Sequence, residues 1–161
     1  MRPTPNLRRR LAAFTYEGVL LFGLVMAVGA VYSILTNQRH GLHGRNGMMA
    51  VQFLALAVYF IGFWTNGGQT LAMKTWHVRI ETLAGHGLSL RQALVRYMLA
   101  WLWFIPPALA SWLAGWHQSK LLYGAMGVWL LMYAAFTRVT PGGQFLHDVI
   151  AGTRVVDTRS S

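Results

Sequence analysis

The chain has 161 residues, of which 55% are hydrophobic and 11% are charged, against about 25% charged residues in ordinary soluble domains. This balance excludes a disordered chain, and it leaves too few polar residues to cover a soluble globule of this size. The formal net charge is +10, and the absence of cysteine excludes disulfides and thiolate metal sites. Because the basic residues flank apolar runs instead of forming one stripe, we expect contact with anionic lipid and no nucleic-acid partner.

Four apolar runs approach the length of about 20 residues that a helix needs to cross a bilayer. In chain order they cover residues 11–35, 48–64, 97–116 and 121–136. They predict an all-α membrane protein, a bundle of four transmembrane helices within a single domain over residues 1–161. The first run is too long for a signal peptide and carries Glu17, so we expect it to be retained as a span. Two prolines inside the third run predict a kink. The kink is either a functional hinge, with opened backbone that lines a cavity, or a bend that only serves helix packing.

The distribution of Lys and Arg predicts the orientation of the helices. Basic residues concentrate in the N-terminal arm, in segment 65–96 and in the tail 137–161, whereas the two remaining loops hold Arg39, Arg45 and Lys120. The positive-inside rule therefore places both termini and segment 65–96 in the cytoplasm. This basic face is the one that we expect to meet anionic lipid.

Segment 65–96 and the tail contain similar sequences. One begins Gly67-Gly68-Gln69, the other begins Gly142-Gly143-Gln144, and both continue into a basic, β-branched stretch. The similarity indicates either a parallel two-fold repeat, as in some transporters, or chance, and alignment of the acid-Thr ends needs a gap of one residue. In each copy we expect the glycines to end the membrane helix, the glutamine to cap its carbonyls and a short interfacial helix to follow.

A strand-like pattern closes each of these two segments. Residues 76–82 alternate apolar and polar side chains, and residues 153–158 are also rich in β-formers. We expect the two stretches to pair as a small cytoplasmic element against the helix ends. A second short helix, capped by Ser89, is expected to lead to Arg96.

Glu17 is the polar residue that most needs an explanation, because ionisable groups in membrane helices are rare. It lies two helical turns after Arg10, on nearly the same face and about 10 Å further along the helix. One interpretation is a cation or proton site. The other is a structural carboxylate held by Arg10, Arg96 or His147, and the sequence leaves both open.

The tail contains a second pair of candidates, His147 and Asp148. We expect His147 to titrate near neutral pH, and Asp148 to take part in a site or to pair with Arg154. Adjacent residues in a helix point apart, so no dyad is predicted. His40 and His43 are a weak metal signal. With no P-loop, HExxH or Gly-x-Ser-x-Gly motif, we expect neither an enzyme nor a cofactor or metal centre.

Taken together, these motifs resemble the RDD family of bacterial membrane proteins, which is named after an Arg and two Asp. The family's Arg, with Asp seven residues later, is similar to Arg10 and Glu17, where Glu replaces Asp. Its middle motif is similar to Gly68-Gln69-Thr70-Leu71 followed by Lys74. Its last motif, His-Asp followed by Ala-Gly-Thr and Val-Val, is similar to residues 147–156.

The resemblance implies a bacterial inner membrane location, and it carries Arg10, Glu17 and Asp148 over as the family's three named positions. It also implies transport of an unidentified ligand, including cation/proton exchange. If the protein is such a transporter, we expect Glu17 to be the coupling carboxylate. The alternative is a non-transporting assembly protein that acts through its basic cytoplasmic face. Because four helices are few to enclose a pathway, we expect a homo-oligomer.

Overall fold

Two long helices open the chain in the computed structural model. Helix α1 spans Leu7–Leu35 and helix α2 spans Arg45–Thr65, and both are long and apolar enough to cross a bilayer. Each begins a few residues before the apolar run that predicted it, because arginines occupy its first turn. The structure describes residues 2–37, 44–116 and 119–159.

The third predicted span is not one straight helix. Helix α4 spans Leu90–Ala100, a 3-10 turn covers Trp101–Trp103, and helix α5 spans Ile105–Leu113, with a bend of 43° between the two parts. Pro106 and Pro107 lie in the first turn of α5 and lack the N–H groups that would continue the hydrogen bonds of α4. The predicted kink is confirmed, and so is the predicted helix that is capped by Ser89 and leads to Arg96. The predicted start of a separate span at residue 97 is wrong, because α4 runs without a break from Leu90 to Ala100.

The break between α4 and α5 is closed by a neighbouring helix. Helix α6 spans Ser119–Phe136, and its Trp129 donates an indole hydrogen bond to the carbonyl of Leu102 at 2.9 Å. This bond satisfies one carbonyl that the prolines leave free. By length and composition the described helices provide two spans, or three when α4 and α5 count as one, and α6 is shorter. The described part of the chain is therefore mostly helical.

Two short helix–strand units follow the helical hairpins. After α2 come helix α3, Leu71–Thr75, and strand β1, Val78–Thr82. After α6 and a 3-10 turn come helix α7, Leu146–Ile150, and strand β2, Thr153–Asp157. The two strands pair antiparallel, which confirms the predicted pairing.

The two units correspond residue by residue. Helix α7 begins 75 positions after α3 (146 against 71), and β2 begins 75 positions after β1 (153 against 78). The turn before each strand has its left-handed residue at the same place, His77 with φ +52° and Gly152 with φ +66°. The predicted one-residue gap is therefore wrong. Ile80 pairs with its own counterpart Val155, so the strand pairing is two-fold symmetric about this pair.

The equivalent glutamines hold the strands and not the helix ends. Gln69 donates to the carbonyl of Val78 at 2.8 Å. Gln144 donates to the carbonyl of Val155 at 3.1 Å and accepts from the N–H of Val155 at 2.8 Å. The prediction that these side chains cap freed helix carbonyls is wrong, because the chain folds back and brings the strand within their reach.

Gly68 is the position where glycine is required. Its φ is +73°, its carbonyl accepts a hydrogen bond from the N–H of Ile80 at 2.8 Å, and a Cβ would lie 2.3 Å from the carbonyl oxygen of Ile80. The sheet is thereby drawn against the helix ends. Its inner face packs into an apolar core whose buried members come from α2, α4, both strands and the loop before α4: Trp64, Val78, Ile80, Leu88, Ala93, Tyr97 and Val155.

Candidate functional site

Glu17 is buried in α1, with 8% of its surface exposed. Its Oε1 accepts a hydrogen bond of 2.6 Å from the hydroxyl of Tyr59 on α2. Its Oε2 accepts a hydrogen bond from the hydroxyl of Thr70, which precedes α3. The carboxyl group therefore joins three elements, and each of its oxygens has one hydroxyl donor.

None of the ion pairs in the described residues includes Glu17. The three basic residues that the sequence offered as structural partners have other contacts. Arg10 stacks on the ring of Phe145, and Arg96 pairs with Asp148. His147 contacts Tyr133 and Asp148. The structure thus gives Glu17 hydroxyl partners instead of a cation.

Thr70 connects Glu17 to the cytoplasmic unit. It is fully buried and caps α3, accepting a hydrogen bond from the N–H of Met73 at 3.3 Å while its own hydrogen goes to Glu17. The motif containing Gly68, Gln69 and Thr70 thus has one polar contact to the buried carboxyl. Lys74, the basic residue of the same motif, is exposed and lies in the last turn of α3.

Asp148 is the centre of a different cluster. It is fully buried, and both Nε and Nη2 of Arg96 lie 2.8 Å from its Oδ1. The guanidinium of Arg96 also stacks on Trp64, at 4.2 Å from the ring centroid. The predicted alternative partner Arg154 instead binds Glu81 at 2.6 Å and 2.9 Å. Asp148 is therefore a buried carboxylate that is paired with Arg96 through Oδ1, while its Oδ2 has no hydrogen-bond partner among the described residues.

His147 packs beside two aromatic rings, whose centroids are themselves 6.3 Å apart. Tyr133 and Phe145 stack nearly parallel to it, and the Tyr133 hydroxyl lies 2.9 Å from Nδ1. Burial lowers the pKa of His147 to about 4, although the charge of Asp148 opposes this shift. The predicted titration near neutral pH is therefore wrong. Nε2 lies 3.6 Å from Asp148 Oδ1, so the expectation that the two side chains point apart is also wrong.

Arg10 forms no hydrogen bond or ion pair with Glu17 or Asp148 in the described residues, although Asp148 is near enough for its charge to act on the guanidinium. It is 6% exposed, its guanidinium carbon lies 4.7 Å from the centroid of Phe145, and its Nε and Nη1 have no hydrogen-bond partner. It packs the start of α1 against the turn before α7. Its contribution here is a cation–π contact.

The neighbouring Arg9 makes the contacts that the sequence did not reveal. Its guanidinium binds Asp157 at 2.5 Å and 2.9 Å and donates to the carbonyls of Trp76 and His77. The hydrogen bonds from Arg9 and from the N–H of Arg159 lower the pKa of Asp157 to about 2. Arg9 thereby connects the start of α1 to β2 and to the turn before β1.

No group of three or more His, Asp or Glu side chains in the described residues could hold a metal ion. His40 and His43, the weak metal signal of the sequence, lie outside those residues. Among the described residues we therefore take the oxygen atoms around Glu17 as the candidate ion-binding site. They belong to one carboxyl group and two hydroxyl groups, held between two apolar helices.

The sequence profile of the RDD family matches residues 4–152, most of the chain. The chain belongs to the RDD family. Comparisons of this RDD protein with curated proteins and with solved structures gave no significant match. The family match and the apolar helices together support a membrane protein.

The two acidic positions of this RDD protein have opposite environments. Asp148 is held by Arg96, whereas Glu17 is held by hydroxyl groups of Tyr59 and Thr70. Sequence reasoning named Thr70 as part of a motif but missed Tyr59, because an isolated Tyr in an apolar run gives no signal of its partner. The structure brings Glu17 and Thr70 together and keeps Arg10 apart from both.

Proposed function

We propose that this RDD protein is a cation/proton exchanger of the bacterial inner membrane, in which Glu17 alternately holds a proton and a small cation. The observation that carries this proposal is the buried carboxyl group of Glu17, which has two hydroxyl partners and takes part in none of the described ion pairs. A carboxylate that is permanently paired with arginine is already neutralised. Glu17 has no such partner, so its charge is available to a transported ion.

The ligand chemistry around Glu17 supports a hard cation. Carboxylate and hydroxyl groups offer oxygen atoms, which are the ligands that hard cations prefer. A single carboxylate balances one positive charge, so a monovalent ion or one proton leaves the site neutral. Burying a neutral site is far less unfavourable than burying an isolated charge.

The remaining architecture of the exchanger follows the sequence predictions. We infer that α1, α2, the bent pair α4–α5 and α6 form a four-helix bundle with both termini in the cytoplasm. The basic cytoplasmic face contacts anionic lipid, where each Lys or Arg contributes about 1 kcal/mol. Two copies of the chain enclose the pathway, and the protein moves ions without chemical catalysis.

Exchange is measured with purified protein in vesicles that contain a pH-sensitive dye. An inward gradient of Na⁺, Li⁺ or K⁺ is imposed, and we expect the vesicle interior to become alkaline as protons leave. Protein-free vesicles and vesicles with Glu17→Gln protein serve as controls. A wild-type response equal to that of protein-free vesicles, for all three cations between pH 6 and 9, would overturn the proposal.

A further inference from the structure

We propose that an open cleft on the outer face of the two-stranded sheet binds a dianionic phosphate group through three arginines. The cleft has a volume of about 440 Å³ and is lined by Arg2, Arg79, Glu81, Ala84, Gly85 and Arg154. Its volume is within the range of about 300–1,000 Å³ that small-molecule sites have. The inference is independent of ion exchange at Glu17, because the two sites share no residue.

The alternation of side chains along the strands places the charged groups away from the apolar core. On β1, Ile80 packs in the core, so Arg79 and Glu81 on either side of it point to the opposite face. On β2, Arg154 precedes the core residue Val155 and is the cross-strand partner of Glu81. The outer face of the sheet is therefore charged, and it is turned away from the apolar helices.

The N-terminal arm brings the third arginine to this face. The N–H of Asp157 donates a hydrogen bond of 2.8 Å to the carbonyl of Pro3, which holds the arm beside β2. Nη1 of Arg2 then lies 3.9 Å from Oε2 of Glu81. Three segments that are distant in the sequence thus each contribute one arginine to the cleft.

Only one carboxylate lines the cleft with these three arginines. Glu81 is 5% exposed, and its Oε1 accepts hydrogen bonds of 2.9 Å and 2.6 Å from Nε and Nη2 of Arg154. Among the described residues, the side chain of Arg79 takes part in no hydrogen bond or ion pair, and its Nε is buried without a partner. Three arginines against one glutamate leave a net charge of +2 in the cleft.

No other acidic side chain is free to neutralise this charge. The sequence contains four Asp and Glu residues in total. Apart from Glu81, these are Glu17, which hydroxyl groups hold in the membrane helices, Asp148, which pairs with Arg96, and Asp157, which pairs with Arg9. The excess charge of the cleft is therefore available to an anion from outside the chain.

A phosphate monoester fits this excess charge and these donors. It carries a charge of about −1.5 to −2 at pH 7, and the planar donor fork of arginine matches the geometry of its oxygens. Gly85, with φ +85°, has no side chain to cover Arg154, whose Nη2 would lie 3.8 Å from a Cβ at that position. Because the cleft is larger than a single phosphate group, it has room for the organic part of a phosphate ester.

The test is isothermal titration calorimetry of the purified full chain in an uncharged detergent, at constant ionic strength, with glycerol phosphate as the probe. Wild type should bind it with a Kd below about 1 mM. Arg79→Gln should weaken binding about tenfold or more, the effect of losing one hydrogen bond to a charged group. The Tm of this variant should not change, because Arg79 has no partner to lose. Arg91→Gln removes the same charge from an exposed position of α4 outside the cleft and should bind like wild type.

Two further probes identify the source of the phosphate and the kind of contact. Dihexanoyl phosphatidic acid carries the same phosphate group on two acyl chains. Binding of this lipid alone, weakened in Arg79→Gln, would assign the cleft to a lipid headgroup, whereas similar binding of both probes would assign it to a soluble phosphate ester. Succinate has a similar charge on two carboxylates and should bind more weakly than either phosphate.

Three results would overturn the proposal. They are binding of neither phosphate compound to wild type, equal weakening by Arg79→Gln and Arg91→Gln, and binding of succinate as tight as that of the phosphates. If Arg79→Gln lowers the Tm, Arg2→Gln in the N-terminal arm replaces it in the same comparison, with the same expected loss of binding. None of these measurements depends on ion flux, so failure of the phosphate site and failure of the exchanger are separate results.

Discussion

Substitution of Asp148 by Asn should destabilise the protein more than any isosteric change at Glu17. Asp148 is fully buried, and Arg96, 7% exposed, binds it through two nitrogens at 2.8 Å. Asn keeps the shape but leaves the guanidinium charge buried without its carboxylate. Breaking a buried ion pair from one side costs about 3–5 kcal/mol, and the stacking of Arg96 on Trp64 places the expectation at the lower end.

The assay is unfolding of the purified protein in detergent micelles. For a chain of this size, a loss of 3–5 kcal/mol corresponds to a fall of roughly 6–20 °C in Tm. Combining Asp148→Asn with Arg96→Met removes the buried guanidinium that has lost its carboxylate, and it should recover part of the lost stability. Glu17→Gln is the matched variant: no cation loses its partner and the amide oxygen keeps one of the two hydroxyl hydrogen bonds. The other hydroxyl faces the amide NH2, so we expect a loss of about 1–3 kcal/mol, below that of Asp148→Asn. Equal destabilisation by Glu17→Gln and Asp148→Asn would refute the distinction between a paired and an unpaired carboxyl group.

Three further results are expected. Lowering the pH from 6.5 to about 4 should destabilise wild type progressively, because the pKa of His147 is about 6.5 in the unfolded chain but about 4 in the folded protein. The contribution of His147 to stability is complete above this pH window. His147→Gln should therefore flatten the plot of Tm against pH. Gly68→Ala should lower Tm through its forced left-handed φ and its clash, whereas Gly62→Ala, at a helical position with open space, should leave Tm unchanged or raise it slightly; equal effects would contradict the tight turn. A reporter that is active only in the cytoplasm should work when fused after Ser161 and fail when inserted in loop 38–46, and the reverse pattern would contradict the four-span orientation.

Features that depend on local sequence were predictable. The apolar runs predicted α1 and α2, the alternation of residues 76–82 predicted β1, and Ser89 caps α4 through a capping box with Gln92. Each of these signals lies in neighbouring residues. What was missed is that the helix capped by Ser89 continues into the third apolar run, because Arg and Gln in its first turns end a hydropathy run without ending a helix.

Features that depend on contacts between distant segments were not predictable. The partner of Glu17 is Tyr59, 42 residues away, and nothing near either residue indicates the contact. The lowered pKa of His147 comes from burial beside the rings of Tyr133 on α6 and Phe145 before α7. The symmetric register of the two strands was obscured by a chance match of acid-Thr pairs, and the strand pairing together with the equivalent turn residues His77 and Gly152 reveals it.

The central claim is that one carboxyl group, Glu17, binds either a proton or a cation. The most direct measurement is proton release from purified protein in weakly buffered detergent when Na⁺, Li⁺ or K⁺ is added. A cation that takes the place of a proton on an acidic ligand releases that proton, so wild type should release protons on cation addition when the measurement is repeated over a series of pH values. Glu17→Asp should retain this release and Glu17→Gln should lose it. Proton release from Glu17→Gln equal to that of wild type would contradict the account.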